Sequence, residues 1–161
     1  MVNAYAVAAS VADPELPQLT LEDLGILRDV REDGDSVTAT ITPTYSGCPA
    51  MREISYDLTQ RLRQAGYRTV EVRTQLSPAW TSDWITSAGR AKLAAAGIAP
   101  PHAAPLRTGP VPLTLGRRAV VACPHCGSVN TRETAAFGAT ACKSLHRCAD
   151  CSEPFEHVKA I

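Results

Sequence analysis

Aromatic residues are scarce in this sequence: 2 Phe, 2 Trp and 4 Tyr make up 5% of the chain. A surface that stacks the bases of single-stranded nucleic acid has little to be built from. Charge of one sign is missing as well, since 16 basic and 16 acidic side chains leave a formal net charge of zero. Residues 1–97 hold 9 basic and 12 acidic groups and residues 117–161 hold 6 and 4, whereas a surface that neutralises several phosphates carries a marked basic excess. No long apolar run occurs, which excludes a membrane-spanning helix. The N-terminal MVNAYAVAAS has no basic residue ahead of its short apolar stretch, and Asp13-Pro14 cuts that stretch off. No signal peptide is therefore expected, and the expected location is a reducing cytoplasm.

Cysteine is nearly missing from most of the chain. Of six, only Cys48 lies in the first 120 residues, and Cys123, Cys126, Cys142, Cys148 and Cys151 are crowded into the remainder. A disulfide-stapled secreted domain would spread them, whereas CxxC pairs in a reducing compartment point to metal or redox chemistry. A glycine-rich phosphate loop, a paired-carboxylate site and a nucleophile triad are absent, so an enzyme is the weakest reading.

What is present in residues 1–97 predicts a small α+β domain. Residues 3–11 suit a short helical turn ended by Pro14 and Pro17. Thr20 to Asp23 reads as a capping box opening a brief helix that Gly25 closes, a local turn and not a core helix. Residues 26–31 and 36–42 flank Asp33-Gly34, a tight-hairpin signal, and Val37, Ala39 and Ile41 alternate with threonines as a half-buried strand does. Met51, Ile54, Leu58, Leu62 and Ala65 recur at helical spacing over residues 49–65. A third strand is expected over 69–76, and a last helix over 83–96 with Ser82 as N-cap and Gly97 as stop. The order predicts a three-stranded mixed sheet with helices packed on it. Trp80 and Trp84 read as core in preference to a partner surface.

Residues 98–118 hold five of the twelve prolines and no apolar period, which predicts a stiff linker before a separate module over 119–161. In that module Cys123-Pro-His-Cys126 and Cys148-Ala-Asp-Cys151 are separated by 21 residues. Each pair can aim two sulfurs at one point from a tight turn, and two such turns supply a tetrahedron. So short a module buries too little apolar surface to fold unaided, and a zinc ion contributes on the order of 10 to 16 kcal/mol in small zinc domains. A structural zinc ribbon is expected, with iron left open because four thiolates serve either metal. Cys142 is expected as a small residue near the site, with replacement of a ligand left open. His125, His146 and His157 are expected at the surface.

Cys48 directly precedes Pro49 and is expected at the N-cap of the longest helix, where the helix dipole lowers a thiol pKa. Segments DPELP (from Asp13), DLGI (from Asp23), TPTYSGCPA (from Thr42) and SPAWTSDWITSAGRAKL (from Ser77) closely resemble the family of small cytosolic iron–sulfur assembly domains related to SufT. Within it they are similar to the PaaD subfamily encoded with phenylacetyl-CoA epoxidase, whose terminal ribbon the segment FGATACKSLHRCADCSEPFEHVK (from Phe137) also resembles. The likeness covers the chain apart from the linker and first ten residues. It implies a non-catalytic role in maturing or maintaining the oxygenase system of aerobic phenylacetate degradation. The partners it implies are the iron–sulfur reductase component as client, the oxygenase core, the iron–sulfur assembly machinery and a second copy of the chain. It marks Cys48 and Thr44, which match a TxxxC motif, as functional, with Asp13 and Glu15 of the acidic motif beside the thiol. One cysteine is too few to hold a cluster, so a transient iron–sulfur cluster bridged between subunits, or a thiolate lent to a client's iron, is implied. Two other readings stand beside it: a structural subunit that only docks, and a nucleic-acid-binding ribbon using Arg117, Arg118, Arg132, Lys143 and Arg147.

Overall fold

Glycine beside Asp33 closes the first hairpin in the computed structural model, which describes residues 3–104 and 120–161. β1 (Leu27–Asp33) and β2 (Ser36–Ile41) pair antiparallel from Asp33 opposite Ser36. Only Gly34 and Asp35 remain in the loop, with Gly34 at φ 59°, the left-handed conformation that costs glycine least. β3 (Thr69–Thr74) pairs parallel to β2, giving the expected mixed sheet in the order β1-β2-β3. A parallel neighbour needs a crossover, and α2 (Ala50–Gln64) supplies it, burying Ile54, Leu58 and Leu62. Val37 and Ala39 of β2 meet Leu62, Tyr67 and Ala4 in one apolar cluster.

Ala4 belongs to α1 (Ala4–Ala9), a helix too short to persist alone and held by its first turn. Asn3 Oδ1 accepts from the N–H groups of Tyr5 and Ala6, and Glu32 Oε1 accepts from Ala4 N–H at 2.9 Å. The other oxygen of Glu32 takes the Tyr67 hydroxyl at 2.7 Å, so one carboxylate joins α1 to the end of the α2 crossover.

The capping box over residues 20–23 forms, with Asp23 Oδ2 accepting from Thr20 N–H and Thr20 Oγ1 from Asp23 N–H. It heads a turn and not a helix, and Leu21 and Leu24 on it are buried. Asp23 also takes Lys92 Nζ at 2.5 Å, while its carbonyl accepts from Thr86 N–H at 2.9 Å. The expected helix over 83–96 is divided: a single 3-10 turn spans Ser82–Trp84, and α3 runs Ser87–Ala95. Thr86 replaces Ser82 as the capping residue, its Oγ1 accepting from Gly89 N–H at 3.0 Å. Trp80 is buried and donates Nε1–H to Leu24 carbonyl at 2.8 Å. Trp84 lies under the guanidinium of Arg28 at 3.8 Å, and Arg28 sits where the β1–β2 register slips between Leu27 and Asp29. A bulge re-aims the side chain it carries.

Contacts within the chain divide it into Met1–Lys92 and Leu93–Ile161. The second unit holds a sheet in the order β4-β7-β6-β5, from β4 (Ile98–Ala99), β5 (Thr131–Ala135), β6 (Lys143–Cys148) and β7 (Pro154–Val158). The expected linker is thereby corrected at its start. Ile98 and Ala99 pair parallel with Glu156 and His157 of β7, and two prolines then end the strand because they offer no N–H. Residues 105–119, with most of the linker, Arg117 and Arg118, lie outside the described residues.

Close approach at Gly89 yields a test of this packing. A Cβ there would stand 2.8 Å from the Asp23 carbonyl oxygen, a backbone atom with no rotamer to escape into. Gly89→Ala is expected to lower stability by about 1 to 3 kcal/mol, read as a lower urea midpoint for the first unit. An unchanged midpoint would show that the α3 contact yields freely.

Candidate functional site

The loop from Thr42 to Pro49 leaves β2 and enters α2, and Gly47 (φ 81°) turns it. Pro49, not Cys48, is the N-cap of α2; proline's fixed φ is already helical, which moves Cys48 one residue outside the helix. Its half-buried thiol receives the Ala50 N–H and lies beside the Thr44 hydroxyl and the charges of Glu15 and Asp13. The loop thus brings together the four residues the resemblance marks. The expected lowering of its pKa is overturned. Burial chiefly pushes the thiol up, Glu15 and Asp13 add to this, and the Ala50 and Thr44 hydrogen bonds only oppose it.

Asp13 has a structural task as well. Its Oδ1 accepts from the N–H groups of Glu15 and Leu16, both at 2.9 Å, which fixes the DPELP turn, and the turn is closed by Ala12 opposite Thr20.

In the second unit the expected tetrad converges. The sulfurs of Cys123, Cys126, Cys148 and Cys151 lie within 4.8 Å of one another, with Cys123–Cys151 at 3.7 Å and Cys126–Cys148 at 3.6 Å. A tetrahedral ion with metal–sulfur bonds of ~2.3 Å sets sulfur–sulfur edges at about 3.8 Å, so the spacing fits one ion. Several irons placed between the thiolates would spread them further. Each pair rides on a turn whose backbone folds back: Gly127 N–H bonds to Cys123 carbonyl at 2.8 Å with Gly127 at φ 75°, and Cys148 N–H bonds to Glu153 carbonyl at 3.0 Å with Ser152 at φ 66°.

Asp150 ties the two turns together, accepting from Ser128 Oγ and from Asn130 Nδ2. Nothing in the CxxC spacing announces that clasp. Crowding separates the acidities of the thiols. The Cys151 N–H, with Asp150 N–H, outweighs burial and lowers Cys148 to about 7. Cys151, although it receives the Glu153 N–H, is raised to about 12 by burial and by the neighbouring thiols.

Cys142 stands outside the tetrad. It precedes β6 while Cys148 ends it, a separation of roughly 20 Å along a strand, and its sulfur instead meets Thr140 Oγ1 at 3.1 Å. His125 is exposed as expected, but His146 and His157 are 6% and 8% exposed, against expectation. Their strands alternate, and both fall on the face that carries Ser144, Cys148 and Phe155. That alternation is visible in the sequence once the strands are recognised, and it puts the two imidazoles inside.

Cys123→Ser is expected to abolish metal binding and the ribbon's strand signals in NMR while the first unit keeps its own. Metal is expected to leave the native ribbon on acidification, because protons compete with the ion for the four thiolates; full retention by Cys123→Ser would defeat the assignment. For Cys48, peptide mapping after iodoacetamide at pH 7 should find alkylation slower than for free cysteine, because the thiolate is the nucleophile. Glu15→Gln should speed it, and a rate above that of free cysteine would contradict the raised pKa.

Comparison with known proteins bears on both halves. A family model described as iron-sulfur cluster assembly protein matches residues 5–73, and one described as PaaD zinc beta ribbon domain matches residues 107–159. The chain is 40% identical over 159 residues, 98% of its length and 91% of the relative's, to an Escherichia coli (strain K12) protein named "Putative 1,2-phenylacetyl-CoA epoxidase" and designated its D component. Among solved structures, a domain of unknown function DUF59 from Bacillus anthracis aligns with TM-score 0.52 and 28% identity, over 56% of this chain and 87% of that one. An iron–sulfur assembly-type α+β unit joined to a PaaD-type ribbon, in a chain that matches the relative almost end to end, places this protein in the PaaD family of phenylacetyl-CoA epoxidase components.

Proposed function

We propose that the chain is a non-catalytic accessory protein of the phenylacetyl-CoA epoxidase system that assists assembly or delivery of an iron–sulfur cluster to the reductase component. The observation that carries this reading is the convergence of Thr44, Asp13 and Glu15 around the Cys48 thiol, in a unit matched by an iron–sulfur cluster assembly model. The cluster is cargo. A lone thiol cannot complete the four protein ligands a cluster normally takes, so Cys48 binds iron only with help from a client or a second copy.

The raised pKa suits that use. Thiolate is the form that oxidises and alkylates, and Cys48 stays protonated until iron's positive charge displaces the proton and offsets the repulsion from Glu15 and Asp13. The Ala50 N–H and Thr44 hydroxyl then remain as donors to the sulfur. The ribbon serves as a folding module, with zinc as its resident ion held by Cys123, Cys126, Cys148 and Cys151. Among the described residues no helix is long and apolar enough to cross a membrane, which is consistent with work in the cytoplasm beside soluble partners.

The relative's designation as a lettered component of the epoxidase favours a second reading, in which the protein remains in the oxygenase and serves only for docking. One experiment separates them. When co-expressed with the reductase under iron limitation, Cys48→Ala is expected to leave folding and ribbon metal intact but to lower cluster content in the reductase severalfold. Full cluster content, with the variant bound stoichiometrically to the oxygenase, would remove the maturation reading and leave the docking one.

A further inference from the structure

Three of the four histidines in the chain meet on one face of the ribbon sheet, contributed by neighbouring segments. His146 lies on β6, His157 on β7, and His102 just beyond β4. The His146 and His157 ring centroids are 5.3 Å apart, and those of His102 and His157 are 6.0 Å apart. They border a cleft of ≈ 870 Å³ whose walls include Val120, Val121 and Ala136. None of these residues belongs to the four-thiol centre or to the Cys48 loop.

Between two of the rings sits the buried hydroxyl of Ser144, 3.0 Å from His146 Nε2 and 3.3 Å from His157 Nδ1. One hydroxyl hydrogen cannot serve both nitrogens, so one imidazole donates to Ser144 and the other accepts from it. The far nitrogen of His157, Nε2, is buried and has no hydrogen-bond partner among the described residues. If Ser144 donated to His157 Nδ1, that orphan would be an N–H, and buried orphan N–H groups are rarer than under-used acceptors. The favoured arrangement is therefore His157 Nδ1–H to Ser144, Ser144 O–H to His146, and a bare lone pair on His157 Nε2.

We propose that His157 Nε2 and His102 form a second site, distinct from the four thiolates, for a first-row divalent transition-metal ion, with water from the cleft completing its coordination. Two imidazoles that share one ion through bonds of ~2.0–2.1 Å have ring centroids about 4.5 to 6.5 Å apart, which the His102–His157 spacing satisfies. His102 is exposed and its ring can turn to present a nitrogen beside the buried one. Ser144 acts from behind as the acceptor that sets the tautomer of a ligating histidine. Burial, aided by the nearby His146, His102 and Lys159, lowers His157 to about 4, which leaves it unprotonated at neutral pH. Imidazole suits nickel, copper, iron and zinc alike, and no soft sulfur ligand enters the set.

Nickel(II) is the probe. It is titrated by calorimetry into the full-length chain, free of any affinity tag and carrying its ribbon metal, and metal content is measured afterwards. One nickel is expected to bind per chain while the ribbon metal stays, without the charge-transfer absorption of a nickel thiolate. His102→Ala and His157→Gln should each weaken binding by about tenfold or more, and Ser144→Ala by a comparable factor. His125→Ala, at the exposed histidine outside the cleft, should bind as the native chain does. If His157→Gln fails to fold, the exposed His102 variant decides. No nickel beyond the ribbon, nickel bound only as the ribbon metal leaves, or native affinity in His102→Ala would overturn the proposal.

Discussion

A shortage of aromatic side chains, of which Tyr67, Trp80 and Phe155 are the buried ones among the described residues, constrains both units of this protein. Much of the buried apolar surface is alanine, valine and leucine, and the ribbon's own cluster is Ala99, Val121 and Phe155 completed by the sulfurs of Cys123 and Cys148. Burial at about 25 cal/mol per Å² leaves such small cores near the margin, so position has to come from polar groups that are fully bonded. In the first unit three carboxylates do this: Asp13 fixes one turn, Asp23 receives Thr20 N–H and Lys92 of α3, and Glu32 receives α1 and Tyr67. In the second, the metal replaces the missing core, and its ligands are themselves part of the little apolar cluster there is.

That dependence shapes the Cys48 loop. Burial chiefly raises the thiol pKa, and of the two acidic side chains that add to it Asp13 also fixes the DPELP turn, so part of the cost of a thiolate there comes from a carboxylate with a structural task. At the helix N-cap the dipole would have favoured a cysteine's thiolate. Displaced by Pro49, half-buried and faced with Glu15 and Asp13, the thiol is instead disfavoured from ionising.

The strands, α2 and the cysteine tetrad were legible in sequence because each rests on a local pattern: alternation around Val37, helical spacing from Met51 to Leu62, and two CxxC turns. The division of the last helix was not, since Ser82 and Thr86 are both acceptable caps and it is Thr86 whose N–H bonds to the Asp23 carbonyl, a contact between segments far apart in the chain. The pairing of Ile98 and Ala99 was hidden in the same way. A two-residue strand has no period to detect, and its partner β7 lies far downstream. The direction of the Cys48 shift was hidden because burial, which no local pattern announces, outweighs the Ala50 N–H at the helix start, and the acidic charges that add to it come from the distant DPELP segment.

The ribbon sheet carries two kinds of donor on one face, and their order along β6 has chemical meaning. Cys148 at the strand's end is soft and near its partners, while His146 and Ser144 lie progressively further along and surround His157 on β7. Thiolates hold a tetrahedral ion by charge and close spacing, which leaves no position open. Neutral imidazoles beside a water-accessible cleft hold an ion weakly and leave positions free. The same four-stranded sheet can therefore keep one ion for its fold and exchange another at its surface, because the two sites differ in ligand charge and not merely in location.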